Sequence, residues 1–385
     1  MIPRTDRRRR TPKIPGLRVG ATALLLLCIV GIALVVAAPP ADAHGLGGLQ
    51  PSNYRTRILS VTPSIPGVTI TSIDLGARLQ LTNRTRKDVT VIGYEGEPYL
   101  RIGPRGVYEN LRSPSTYENR SGTGTAPVPS TADAHAPPQW HRIGSEPVAR
   151  WHDHRAHWMG NGDPPSVSRA PDRTHTVIPR WTLRYTWGSE RVTVTGDVRW
   201  IPGPSMWPWL AVAAVLAMAT ALLCLLPIWR WIAGVGLVLL IAAETAHVIG
   251  LWNASTAADL ARFLAVVYSL GAILMAVAAV AWLVRKPEWD AAPLVLLAGI
   301  FVVIAGGLAG ITTLSHSQLP TTLPPAVARW SVAASLGIGL GLVIGAARHL
   351  KPPDHGRRTR RPHSRETPGP IAATREVDPA TEAPR

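Results

Sequence analysis

The sequence predicts an exported all-β, sandwich-like domain followed by an α-helical transmembrane bundle of five helices, or six if an N-terminal apolar segment is retained. Three observations predict it. Hydrophobic residues make up 46% of the 385 positions and fall in long blocks, one near the start and the others through the last half, the block pattern of a membrane protein. Between them, residues 44–204 show short alternating runs broken by Pro, Gly and Asn, the period of half-buried strands. Basic residues gather at particular ends of the apolar blocks, as orientation in a membrane requires.

Residues 1–43 read as a signal peptide or anchor helix. A basic stretch ends near Arg18, an apolar run covers about Val19–Ala38, and Ala41-Asp42-Ala43 is a small-x-small cleavage site. Cleavage and retention both place residues 44–204 outside the cytoplasm.

In residues 44–204 the candidate strands are 55–61, 68–75, 78–81, 89–94, 99–102, 181–187, 192–194 and 198–201, with Asn83–Asp88 a polar turn. So many short strands predict a sandwich. Residues 113–175 read as a long loop, because 113–138 is rich in Ser, Thr, Pro, Gly and Ala and the histidine-bearing stretch after it has little strand periodicity.

Residues 205–349 form the transmembrane domain, with spans at about 207–229, 232–252, 263–284, 291–314 and 330–347. Each is roughly 20 residues, enough to cross ~30 Å of hydrocarbon at ~1.5 Å per residue. Arg230, Arg285, Lys286, Arg348, Lys351 and the Arg357 cluster fall on one side of these spans. The positive-inside rule then puts the β-domain outside and the tail inside. Trp207, Trp209, Trp229, Trp231, Trp252, Trp289 and Trp330 lie at span ends, where indoles anchor among headgroups. Residues 350–385, charged and Pro-rich, read as a disordered basic cytoplasmic tail. The whole is a multi-pass plasma-membrane protein whose first partner is the lipid bilayer.

Composition excludes several classes. The formal charge of +16 is carried by Arg clusters beside apolar segments, with no aromatic-basic platform or recognition helix, so a nucleic-acid role is not supported. Two cysteines, Cys28 and Cys224, both lie in apolar runs, which excludes a disulfide framework and a Cys-based zinc site. No nucleotide loop, serine-nucleophile motif or zinc-protease helix is present, so no enzyme activity is expected.

The densest unusual stretch is Trp151-His152-Asp153-His154-Arg155-Ala156-His157-Trp158-Met159. In an extended segment His152 and His154 share a face, and a bend after Arg155 returns His157 to it. Imidazole with carboxylate suits copper or zinc, so His152, Asp153, His154 and His157 are candidate ligands. The competing reading is a polar loop whose histidines bond to backbone or water. His135, His141 and His175 are scattered and read as structural. If the chain is cut after Ala43, His44 presents an α-amine of pKa ~8 beside an imidazole of pKa ~6.5, a chelating pair for copper that needs one further histidine. In the second span, Glu244 and His247 stand at i, i+3 on one helical face. An ionisable residue at that depth is costly unless paired or wetted, so they read as a membrane metal relay or as a hydrogen bond, to each other or to Thr245 or Ser269, that pins helix packing. The Gly337, Gly339, Gly341 and Gly345 series reads as a close-packing helix face.

An exported β-sandwich that starts with His44, carries Ser60-Val61-Thr62-Pro63-Ser64-Ile65-Pro66-Gly67, and ends on Tyr185-Thr186-Trp187-Gly188-Ser189 to Gly196 and Trp200, ahead of a membrane half, resembles the CopC/CopD class of bacterial copper-handling proteins. The family's Asp-Gly-His motif is replaced here by Glu190-Arg191-Val192, so only His44 carries over by position. The resemblance implies binding of copper, with zinc as the alternative, for delivery, uptake or resistance. The other reading is a non-catalytic envelope protein that binds an exported protein or a cell-wall polymer through residues 113–175.

Overall fold

The computed structural model describes residues 49–120, 127–256, 259–285 and 288–350. The signal segment, His44 and the basic tail therefore lie outside the described residues.

In the N-terminal half the described residues form ten strands in two antiparallel sheets. β1 (Tyr54–Thr62), β10 (Glu190–Trp200), β9 (His175–Trp187), β4 (Val89–Ile92), β5 (Pro98–Gly103), β6 (Gly106–Asn110) and β7 (Trp140–Gly144) pair in that order. β2 (Val68–Ile73), β3 (Arg78–Asn83) and β8 (Val148–Trp151) form the second sheet. One core lies between them. Alternation does the sorting: Leu79 and Leu81 on β3, Val89 and Val91 on β4, and Leu183 and Tyr185 on β9 are buried while their neighbours in sequence are not. Each such buried side chain contributes about 1.5–3 kcal/mol. Asn83 fixes the predicted polar turn, since its amide donates to the Lys87 and Ile102 carbonyls, both at 2.8 Å, and its own oxygen accepts from Thr85.

The expected 113–175 loop is not a loop throughout. It carries α1 (Pro114–Glu118), β7, β8, a 3-10 turn at His154–Ala156 and α2 (Pro165–Arg169). β7 extends one sheet and β8 completes the other, so this segment is part of the scaffold. Glu97, buried beneath it, accepts hydrogen bonds from Ser113 Oγ and Ser115 Oγ, which ties the start of α1 to the turn before β5. The expected strands 192–194 and 198–201 are one strand bent by a register shift at Gly196/Val198.

The C-terminal half is helical: α3 (Trp207–Leu223), α4 (Trp229–Ala254), α5 (Asp259–Arg285), α6 (Glu288–Val302) and α7 (Pro325–Ala347). Among the described residues four stretches are long and apolar enough to cross a membrane: 229–254, 259–285, 291–308 and 325–347. α3 has 17 residues, about 25 Å at ~1.5 Å per residue. The expected span to Trp229 stops early because Pro227 cannot continue a helix and biases Leu226 out of it. The expected span 291–314 is also broken: α6 passes into a π-helical turn at Val303–Leu308 and a 3-10 turn at Ile311–Leu314.

Gly337 and Gly341 face Ala213 and Thr220 of α3, Gly345 faces Cys224 just beyond its end, and Gly339 faces Gly299 of α6 and Val303 of the π-helical turn. The glycine series is thus a two-sided packing face. Trp207 and Trp231 are exposed, in keeping with their expected place at span ends. Trp229 is not such an anchor: it is buried and stacks on His349 at 4.1 Å.

Candidate functional site

The β-domain rests on the helix ends through three short segments. Asp74 accepts hydrogen bonds from Thr256 Oγ1, at 2.9 and 3.1 Å, and from its backbone N–H at 3.4 Å. Arg78 pairs with Asp74 and donates to Thr256 Oγ1 at 2.9 Å. Ser52 and Gln318 exchange backbone hydrogen bonds at 3.0 and 2.8 Å, Asn53 Oδ1 accepts from the Ser317 N–H, and Ser317 Oγ donates to the Ile201 carbonyl. The loops after α4 and before α7 therefore lie at the β-domain end of the bundle. Because the helices alternate in direction, Arg230, Arg285 and Arg348 lie at the other end.

Between domain and helices is a cavity of about 1240 Å³, lined by Ala77, Arg78 and His152 from above and by His247, Ser269 and Ala305 from below. A second cavity of about 320 Å³ has Tyr54, Asp74 and His157 in its walls. Leu49, Gln50, Pro51 and Ala77 line both.

The structure brings the three histidines of the 152–157 run together. The His152 ring lies 4.1 Å from that of His157 and 5.2 Å from that of His154, centre to centre. The 3-10 turn at His154–Ala156 supplies the anticipated bend, and Asp153 caps it by accepting from the Arg155 N–H. Nδ1 of His152 is 2.8 Å from the Ala77 carbonyl, and Nδ1 of His157 is 2.8 Å from the Asp153 carbonyl. A carbonyl only accepts, so each Nδ1 carries a proton, and a neutral ring in either place has its lone pair on Nε2. Nε2 of His157 is buried, with the Gly76 backbone near it and no well-formed hydrogen bond. Burial lowers the affinity of His157 for a second proton, against the opposing pull of the Asp153 and Gly76 backbone, so the ring is held neutral below its ordinary range.

Asp153 points elsewhere. Its buried carboxylate accepts from Arg155 Nε and Nη2, both at 2.8 Å, from Trp151 Nε1 at 2.9 Å and from the Arg155 N–H at 3.2 Å. Burial by itself would raise the carboxyl; the Arg155 guanidinium and the Trp151 indole outweigh it and hold the group below the usual carboxylate range. Asp153 is thus a structural ion-pair partner that orders the histidine turn. Tyr94 completes that order: its hydroxyl accepts from the His154 N–H at 2.9 Å, its ring stacks on His154, and Arg155 lies over its face. Tyr94 had no mark in the sequence beyond its place at a strand end. Among the described residues no three His, Cys, Asp or Glu side chains form a ready metal cage.

Glu244 and His247 do not bond to each other. Glu244 is buried in the bundle, and its Oε1 accepts from Ser335 Oγ of α7 at 2.7 Å. Ser269 of α5 also hydrogen-bonds the carboxylate, as one sequence reading anticipated. Ser335, distant in sequence, carried no signal. Of the remaining histidines, His175 binds the Ala170 carbonyl and His316 the Thr312 carbonyl, each at 2.7 Å, local roles without a shared site.

Comparison with protein-family models, with curated proteins and with solved structures gives no match.

Proposed function

We propose that this chain is a multi-pass plasma-membrane protein whose extracytoplasmic β-domain binds a transition metal ion, copper before zinc, and delivers it to the membrane half. One observation carries the reading. His152 belongs both to the imidazole cluster and to the wall of the cavity that extends to His247 and Ser269.

The chemistry of the donors supports it. Backbone carbonyls fix the tautomers of His152 and His157, the device by which outer-shell partners orient metal-binding imidazoles. His154 stands against His152 as a third imidazole. Two or three imidazoles with no carboxylate suit copper better than a hard cation. His44 supplies the remaining donors if its amine is freed. Leu49, which lines both cavities, stands five positions after His44, and that length of chain spans up to ~17 Å. His247 is then the receiving imidazole, whereas Glu244 is turned away toward Ser335 and Ser269. The resemblance to CopC/CopD proteins supports the same assignment. In this reading α3 is the fifth span, the β-domain faces outward and the arginine-bearing helix ends face the cytoplasm.

The test is to purify the membrane-inserted protein, sequence its mature N-terminus and titrate it with Cu(II), Cu(I) and Zn(II) at neutral pH. Saturable copper binding that falls at least tenfold in the His152→Ala, His154→Ala, His157→Ala variant is expected. Equal binding in that variant sinks the cluster, and a mature start other than His44 removes the amine. Metal-indifferent folding together with crosslinks from residues 113–175 to an exported partner favours the envelope-interaction reading.

A further inference from the structure

Glu244 lies where four helical segments meet. It is 2% exposed. Its Oε1 accepts from Ser335 Oγ at 2.7 Å, while its Oε2 is buried with no hydrogen-bond partner. Room for the carboxyl comes from Gly306, in the π-helical turn: a β-carbon there would overlap Oε1. π-turns inside helices recur at functional sites. The feature is built by α4, α5, the π-turn and α7 together.

Among the described residues Glu244 makes no ion pair. Within two turns of its level, α4 carries His247, α5 carries Tyr268 and Arg262, the 299–313 segment carries no ionisable side chain, and α7 carries Arg329. Arg262 is engaged with Asp259 and the Trp252 ring, and Arg329 donates to the Thr313 and His316 carbonyls. Both belong to the outer helix ends. A bare carboxylate in this setting costs several kcal/mol. A proton removes that cost. Ser269, which bonds the carboxylate, also lines the cavity, as does His247, one helical turn along α4 from Glu244.

We infer that the Glu244 carboxyl is a proton-binding site at the floor of the interdomain cavity, loaded and unloaded past Ser269. A proton fits better than an alkali ion because the Ser335 hydroxyl donates to Oε1, so its hydrogen, and not a free lone pair, faces the carboxylate. This site does not depend on the metal reading: a protein that ignores copper still shows it.

Infrared difference spectra of the full chain in lipid nanodiscs, recorded from about pH 5 to about pH 10, test it directly. The carbonyl stretch of a protonated carboxyl is expected at neutral pH, shifted by ¹³C-glutamate labelling and absent from Glu244→Gln. Ser335→Ala, which removes a donor to the anion, is expected to move its loss upward by about one pH unit. If Glu244→Gln does not fold, the labelled band and the Ser335→Ala shift decide. Identical spectra with and without Glu244, or no labelled band at any pH, overturn the assignment. Loss of the band on adding sodium at fixed pH overturns it in favour of a cation site.

Discussion

Asp153 and Arg155 grip each other through two parallel contacts, Nε to Oδ1 and Nη2 to Oδ2, both 2.8 Å long. The pair turns an acidic residue in the middle of a histidine run into a clamp. Removing one partner of a buried pair leaves the other unmatched, at about 3–5 kcal/mol. Arg155 keeps 22% exposure against 1% for Asp153, so water softens the loss and the low end applies. Asp153→Asn is expected to destabilise the protein by about 3 kcal/mol in chemical denaturation, and under the proposed copper function the folded variant binds as much copper as the parent. A variant of unchanged stability that has lost copper would make Asp153 a ligand instead.

Acid should unfold the β-domain in two steps. His157 is held neutral below its ordinary value of 6.5 by burial, so the unfolded chain binds the extra proton more readily. Stability is complete above that value and falls as pH drops through it, by up to ~1.4 kcal/mol per unit for one proton. Asp153 is held below its ordinary value of 3.8. Its contribution is complete above that value and is lost as pH falls further. Unfolding free energy measured against pH should lose the first step in His157→Gln and keep the second. A first step that survives that substitution assigns it to another group.

Asp74 and Leu75 hold positive φ angles of 52° and 60°, a backbone state that costs a non-glycine residue about 1–2 kcal/mol. The strained turn does two jobs: Asp74 holds Thr256 on the membrane side, and Ala77 holds His152. Asp74→Gly relieves the strain but deletes the carboxylate. It should loosen the docking, seen as faster amide exchange at 74–78 and at 255–256. Hydrogen bonds to a charged group carry about 1.5–3 kcal/mol, so exchange there should rise tenfold or more. Unchanged exchange would mean that the other two docking segments suffice.

Much of this was legible in the sequence, for identifiable reasons. Strands with one wet face alternate, so β1 to β5 and the core of β9 announced themselves through residues such as Leu79, Leu81, Val89 and Val91. β7 and β8 did not: β7 is an edge strand with exposed His141, Arg142 and Ile143, and β8 has only Ala149 and Trp151 turned inward. Their partners, β6 and β3, lie tens of residues away. The histidine cluster was legible because its spacing needs only one bend. Its supports were not, since Tyr94, the Ala77 carbonyl and Arg155 act through tertiary contacts with no period. Likewise Glu244 was conspicuous as a charge among apolar residues, whereas Ser335 and Gly306 resemble ordinary small residues of a packing face.

The glycine face of α7 gives a paired test of helix packing. A β-carbon at Gly341 would come within 2.5 Å of Thr220 Cβ and 2.7 Å of the Ala217 carbonyl oxygen, and one at Gly337 within 2.5 Å of the Ala213 carbonyl oxygen. Backbone cannot swing aside as a side chain does, so α3 must move off α7. Overpacking of this kind costs about 1–3 kcal/mol. Gly234, on α4, has open space around its would-be β-carbon, and an alanine there improves helix propensity by about 1 kcal/mol. In detergent, thermal unfolding of Gly341→Ala should come several degrees below that of the parent, and Gly234→Ala at or above it. Equal losses at both positions would show that α3 is not held through the glycine face, and its contact with the bundle would have to be sought at the Trp209 and Trp330 pair, whose rings meet edge to face at 5.7 Å.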